Sequence, residues 1–199
     1  MEDRSALPSR HGPWVRRRRT VAYRNDWLLV WHDEVIRPDG QPGIYGVVHP
    51  YATAVGVVAV DTDGRILLVG QYRYTLDRFS WEIPEGGTRP DEAPLLGAQR
   101  ELAEETGYRA TVWRELVAVH TSNSLMDEAG TLFLATGLVA GAAEPDATEE
   151  LDLRWIDLAG ALAMVEQGEI TDALTLIGLQ QLALERMARA GRAADDQDL

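Results

Sequence analysis

The segment QRELAEETGY, residues 99–108, sets Glu101, Glu104 and Glu105 in a run whose residues otherwise favour helix. At about 100° per residue, the three glutamates fall within an arc of roughly 100° on one helical face. Like charges three and four positions apart destabilise an isolated helix by about 0.2–0.5 kcal/mol per pair. A fold that keeps this helix must therefore bring something cationic to that face.

The rest of the chain supplies mostly strands. TVAYRNDWLLVWHDEVI and IYGVVH are rich in aromatic and branched residues and are separated by the turn-forming RPDGQPG. YATAVGVVAV and RILLVGQYRY flank DTDG, whose Asp-Gly predicts a hairpin with these two runs as antiparallel neighbours at the centre of a sheet. SWEIPEGG predicts a short strand broken by Pro84 and the Gly86-Gly87 pair. The glutamate helix follows, with Asp91 as N-cap, Pro94 in its first turn and Gly107 just past its end. TVWRELVAVH, GTLFLATGLV and LDLRWIDL predict further strands, with the polar loop TSNSLMDEA between the first two. Thr171 is placed to cap a long final helix through DALTLIGLQQLALERMARAG. Strands on both sides of an internal helix, with a second helix at the end, describe an α/β sandwich with a mixed sheet. No glycine-rich dinucleotide fingerprint follows a strand, and no Walker A pattern occurs.

Charge and composition narrow the function classes. Nineteen basic residues against thirty-two acidic ones give a net charge of −13, which argues against a surface built for nucleic acid or anionic membranes. The RRRR run at 16–19 reads as a solvated edge before a strand. The chain has no cysteine, so disulfides, thiolate metal sites and a cysteine nucleophile are excluded, as a reducing compartment would allow. Its apolar runs fall short of the about 20 residues needed to span a bilayer, and no apolar segment follows the N-terminal arginines as in a secretory signal. A cytoplasmic protein is expected.

Extended outward, the glutamate segment becomes GGTRPDEAPLLGAQRELAEETGY, which fits G-x5-E-x7-R-E-U-x-E-E-x-G-U, where U is a bulky apolar residue. Gly86, Glu92, Arg100, Glu101, Leu102, Glu104, Glu105, Gly107 and Tyr108 occupy the defined positions. This pattern resembles the Nudix box, the signature of the Nudix hydrolase family. The resemblance implies an α/β/α sandwich and metal-dependent hydrolysis of a nucleoside diphosphate linked to another group. Hard divalent cations take oxygen ligands and are held by one or two carboxylates together with substrate phosphates. Glu101, Glu104 and Glu105 are the expected ligands for Mg²⁺, with Mn²⁺ as an alternative. In the family the carbonyl of the residue before the first glycine, here Glu85, also joins a metal. Arg100 lies four positions before Glu104 and is expected to orient the carboxylates, with Glu92 also within its reach.

Flanking segments are similar to those of the ADP-ribose pyrophosphatase branch, over roughly residues 20–188. They are VVAVDTDGRILLVGQYRY, the EIPEGG turn and GEITDALTLIGLQ. The resemblance implies that Arg73 contacts substrate phosphates. It also implies that Glu128, in the loop TSNSLMDEAGTLFLA, activates or positions water, with Glu104 and Asp127 as alternatives for the base. The chain departs from the branch in two places: Asn123-Ser124 replaces a Pro-Gly in the loop, and Glu85 replaces an alanine in the turn. ADP-ribose, another ADP-sugar and a GDP-sugar such as GDP-mannose all remain open as substrates.

The expected organisation is a mobile lead-in at 1–17, an N-terminal β region at 18–50, a Nudix domain at 51–190 and an acidic tail at 191–199. The β region resembles the small strand domain through which ADP-ribose pyrophosphatases form exchanged homodimers. Trp27, Trp31 and Tyr45 offer aromatic faces for a base or for packing. The expected partner is a nucleoside diphosphate sugar, with no nucleic acid and no membrane. A rival reading, a non-catalytic nucleotide-sugar sensor, predicts lost box carboxylates, and none is missing.

Overall fold

The computed structural model describes residues 8–143 and 150–195, with the side chains of 193–195 left aside. Residues 1–7 of the expected lead-in and 196–199 of the expected tail lie outside the described residues. The chain divides into two compact units: one runs up to Thr53 and includes His120–Ala129, and the other comprises Ala54–Val119 and the chain from Gly130 on.

The first unit is an antiparallel sheet in the order β1 (Ser9–His11), β2 (Trp14–Arg24), β3 (Leu28–Ile36) and β4 (Pro42–Pro50). The stretch expected as a lead-in therefore carries a hairpin. Gly12, at φ 57°, turns it, pairing Ser9 with Arg16. Asn25 makes the next turn by accepting hydrogen bonds from the N–H groups of Trp27 and Leu28, both at 2.9 Å. The arginine run lies inside β2 and not before a strand, with Arg17 and Arg18 exposed and Arg16 and Arg19 half-buried. Register sets Arg18 opposite Glu34 and Arg19 opposite Asp33, and Arg19 donates two 2.7 Å hydrogen bonds to the buried Asp33 carboxylate.

The second unit holds two sheets. One has the order β8 (Glu85–Gly87), β5 (Ala54–Ala59), β10 (Ala129–Ala140), β9 (Tyr108–His120), and β5 runs parallel to β10 but antiparallel to β8. The other has the order β11 (Asp152–Ile156), β6 (Ile66–Arg73), β7 (Arg78–Glu82) and is antiparallel throughout. The expected β5–β6 pairing is thus reduced to a single bridge between Val60 and Ile66. The turn itself forms, with Asp61 accepting from the N–H groups of Asp63 and Arg65. The strands then diverge because each is apolar on both faces and finds other neighbours.

Alternation along β5 builds a layer on each side. Val55, Val57 and Ala59 pack with Ala98 and Leu102 of α1 (Pro94–Thr106). Val58 packs with Ala161 and Met164 of α2 (Leu158–Glu166) and with Leu174, Leu179 and Leu182 of α3 (Ala173–Asp195). The result is the expected α/β/α sandwich with a mixed sheet. Sequence reasoning missed α2, which Asp157 caps by accepting from the Gly160 N–H at 2.6 Å.

Two expected caps are corrected. Helix α1 begins at Pro94 after Ala93, while Asp91 sits outside it at φ 62°. Helix α3 is capped by Asp172, whose carboxylate accepts from the Thr175 N–H at 2.7 Å; Thr171 instead accepts a hydrogen bond from Arg78. At the other end α3 continues to Asp195, past the start of the segment expected as a tail. Gly107 closes α1 in the left-handed conformation, φ 73°, its N–H donating to the Ala103 carbonyl. Among the described residues no helix is long and apolar enough to cross a membrane.

Candidate active site

Helix α1 and strand β8 are tied to each other through polar groups. Glu105 is buried, and its carboxylate accepts a 3.1 Å hydrogen bond from the Glu85 N–H. Arg100 donates to the Gly87 carbonyl at 2.8 Å, binding the helix to the other end of the same short strand. Between these two ties lies Gly86, where an added Cβ would fall on the Glu101 carboxylate. Glycine at this position lets a helix carboxylate lie directly against the turn backbone.

The cation that the sequence requires on the glutamate face is, in the protein alone, Arg100. Its Nη1 donates 2.8 Å hydrogen bonds to both Glu101 and Glu104, while Nε and Nη2 grip Glu92 at 3.2 and 3.0 Å. Arg89 adds a second guanidinium on Glu104 at 3.0 Å. The side chains of Arg100 and Glu101 are only 16% and 14% exposed, so water does little to screen the pair. Glu92, and after it Glu104 and Glu101, hold the Arg100 guanidinium charged against the effect of burial. Hydrogen bonds from Arg100 in turn draw the Glu92 carboxyl below its ordinary range.

A second acidic group lies behind the turn. Glu82 of β7, Glu85 of β8 and Asp172 at the start of α3 each offer a carboxylate oxygen within 4.8 Å of the others. Arg73, at the end of β6, donates through Nε to Glu82 at 2.9 and 3.0 Å and through Nη2 to Glu85 at 3.2 Å. Burial, followed by the neighbouring Asp172 and Glu82 carboxylates, pushes Glu85 well above the ordinary carboxylate range, against the pull of Arg73. The Glu85 Oε2 atom is buried without a hydrogen-bond partner.

Residues 50–174 match the model of the NUDIX domain, and residues 14–48 match that of the nucleoside diphosphate sugar hydrolase N-terminal domain. The chain belongs to the Nudix family. It is 37% identical over 151 residues to an ADP-ribose pyrophosphatase of Mycobacterium tuberculosis, covering 74% of this chain and 72% of the relative. It is also 37% identical over 161 residues to an ADP-ribose pyrophosphatase of Bacillus subtilis, covering 79% and 86%. A crystal structure of an ADP compounds hydrolase shares the fold, with a TM-score of 0.76 at 20% identity over 86% of this chain and 95% of that one. With its family and relatives, and with every box carboxylate in place, the chain is a Nudix pyrophosphohydrolase.

Among the residues singled out from this Nudix sequence, the structure gathers Glu101, Glu104, Glu105, Arg100 and the Glu85 backbone at the α1–β8 junction. Arg73 reaches the same turn from the opposite side, engaged with Glu82 and Glu85. Glu128 belongs to the other unit, where its carboxylate accepts a 2.6 Å hydrogen bond from the Thr121 hydroxyl. Asp127 pairs with His49. Trp27 is exposed, Trp31 lies beneath the Arg19 guanidinium, and Tyr45 meets the edge of Trp14. Sequence reasoning missed Glu82, Asp172 and His49. A local signal existed only for Asp172, whose offset from Thr175 is that of a helix cap.

The donor set at the α1–β8 junction fits a hard divalent cation. It consists of carboxylate oxygens on one helical face, beside a glycine turn against whose backbone the Glu101 carboxylate lies.

Proposed function

We propose that this Nudix enzyme hydrolyses the diphosphate of a nucleoside diphosphate sugar, with ADP-ribose or another ADP-sugar as the first choice, to AMP and a sugar phosphate. The observation that carries the proposal is the α1 glutamate face locked against the Gly86–Gly87 turn. The match of residues 14–48 to the N-terminal domain of nucleoside diphosphate sugar hydrolases supports the substrate class, as do the two ADP-ribose pyrophosphatase relatives. A GDP-sugar is the main competing substrate. The same reading takes the enzyme as a homodimer acting in the cytoplasm.

Glu101, Glu104, Glu105 and the Glu85 carbonyl would hold Mg²⁺, or Mn²⁺ in its place. When bound, the ion draws negative charge off the diphosphate and favours hydroxide over water. The chain's own residues do the rest. Glu128 takes the proton of the attacking water as its oxygen bonds to phosphorus, and the bridging P–O bond breaks with its electron pair leaving on the departing phosphate. Glu104 acts from the helix face, where Arg100 fixes its carboxylate beside that of Glu101. Arg73 offers a guanidinium to a substrate phosphate from the far side of the turn.

The test is product release from ADP-ribose, ADP-glucose, GDP-mannose, FAD and NADH with Mg²⁺, run beside Glu105→Gln. Glutamine retains an acceptor for the Glu85 N–H while removing the charge. The expected outcome is AMP from an ADP-sugar, reduced by about 10²–10³-fold in the variant. Tight Mg²⁺-dependent binding of the panel without any turnover would overturn the proposal in favour of a sensor.

A further inference from the structure

The loop Thr121–Glu128 joins β9 to β10, yet it groups with the N-terminal sheet. Its attachment is specific and lies within that unit. The Val48 N–H donates to the Leu125 carbonyl at 2.9 Å, and the Asp127 N–H donates to the Val48 carbonyl at 3.3 Å, making a short parallel bridge between Val48 and Met126. The Tyr45 hydroxyl donates to the Ser124 carbonyl at 2.8 Å. One side chain of the loop is gripped directly: His49 Nδ1 lies 3.0 and 2.8 Å from the two Asp127 carboxylate oxygens. The Tyr51 ring stands edge-on to His49 at 6.2 Å.

We infer that His49 and Asp127 form a latch that positions Glu128, so that both are positioning residues and Asp127 is not the base. Glu128 lies between two fixed points. Asp127 is held through its carboxylate and its N–H, and β10 begins at Ala129. Where successive residues are extended, their side chains leave on opposite sides, so seating Asp127 on β4 turns Glu128 the other way. At the far end of the loop the Thr121 hydroxyl meets the Glu128 carboxylate, closing the loop on itself. Nδ1–H of either the neutral or the protonated ring donates to Asp127, so the latch does not depend on a change of charge.

His49 and Asp127 are 42% and 51% exposed, and exposed pairs shift equilibria by factors of up to about five. The effect on turnover is therefore modest and is measured as a pattern. With ADP-ribose and Mg²⁺, His49→Ala and Asp127→Ala should each lower kcat by about three- to fivefold, with KM changed by less than about twofold. The double variant should be no worse than the worse single, and His49→Asn, which keeps a donor near the Nδ1 position, should recover most of the loss. Hydrogen exchange at the Val48 and Asp127 amides should quicken by about the same factor in His49→Ala. Unchanged exchange at both amides overturns the latch. Faster exchange with unchanged kcat, or losses that multiply in the double variant, overturns its positioning role. The kcat readings rest on the proposed role of Glu128, whereas exchange does not. Wild-type kcat in Glu128→Gln would count against that role, and exchange would still decide the latch.

Discussion

Two groups of three carboxylates lie on either side of the same turn, and their surroundings treat the charge in different ways. On α1, Glu101 and Glu104 face Arg100 and Arg89, and Glu105 holds the Glu85 N–H. There the negative charge is met by guanidinium forks and by an oriented amide. Behind the turn, Glu82, Glu85 and Asp172 face the single guanidinium of Arg73, and one Glu85 oxygen has no hydrogen-bond partner. Three carboxylates sharing one partly exposed guanidinium cannot all stay charged at low cost, and it is the Glu85 carboxyl that is pushed well above its ordinary range. The α1 carboxylates each meet a donor of their own, whereas those behind the turn share one guanidinium, and there burial pushes Glu85 upward.

The largest effect should follow from removing the cation of the first group. Arg100→Ala strips donors from Glu92, Glu101, Glu104 and the Gly87 carbonyl at once, and loss of about 3 kcal/mol is expected in urea unfolding. Arg100→Lys should recover little, because one ammonium cannot span groups that a planar fork reaches together. A loss under about 1 kcal/mol would mean that water solvates the α1 face well enough without Arg100, and the contrast between the two groups would fail.

Arg73→Gln tests the second group and should cost less, about 1–2 kcal/mol at neutral pH, because its side chain is 35% exposed. Adding Glu85→Gln should restore much of that loss, since the cost lies in leaving carboxylates without a partner. Additive losses in the double variant would show that Arg73 stabilises the fold by packing and not by charge.

The two groups also differ in how readily the sequence reveals them. The α1 face occupies a single helical turn, so spacing alone exposed its charge, and its glycine C-cap was equally local. The second group is assembled from β7, β8 and the start of α3, and Asp172 stands ninety residues from Glu82. No window contains it. Partners across strands are hidden in the same way: the arginines at 16–19 read as a solvated edge until β3 set Asp33 and Glu34 opposite them. The DTDG turn was legible, but the separation of β5 and β6 was not, because strands apolar on both faces can pair with several neighbours. Helix α2 escaped notice because nine residues give too short a periodic run.

The smallest effect and the sharpest test of the contrast come from Glu85→Gln alone. The Glu85 carboxyl titrates well above its ordinary value of 4.5 in the folded protein. A group raised in this way binds its proton more tightly when folded. Its contribution to stability is therefore fully present below the unfolded value and is lost as pH rises through the folded one. Glutamine is neutral throughout, so the variant should match the wild type near pH 4 and exceed it at pH 8. With metal removed by chelator, a Tm gain of about 2–4 °C at pH 8 corresponds to about 1 kcal/mol in a chain of this length. An equal shift at both pH values would mean that the pull of Arg73 cancels the effect of burial and leaves Glu85 at its ordinary value, and the two carboxylate groups would then differ in position but not in kind.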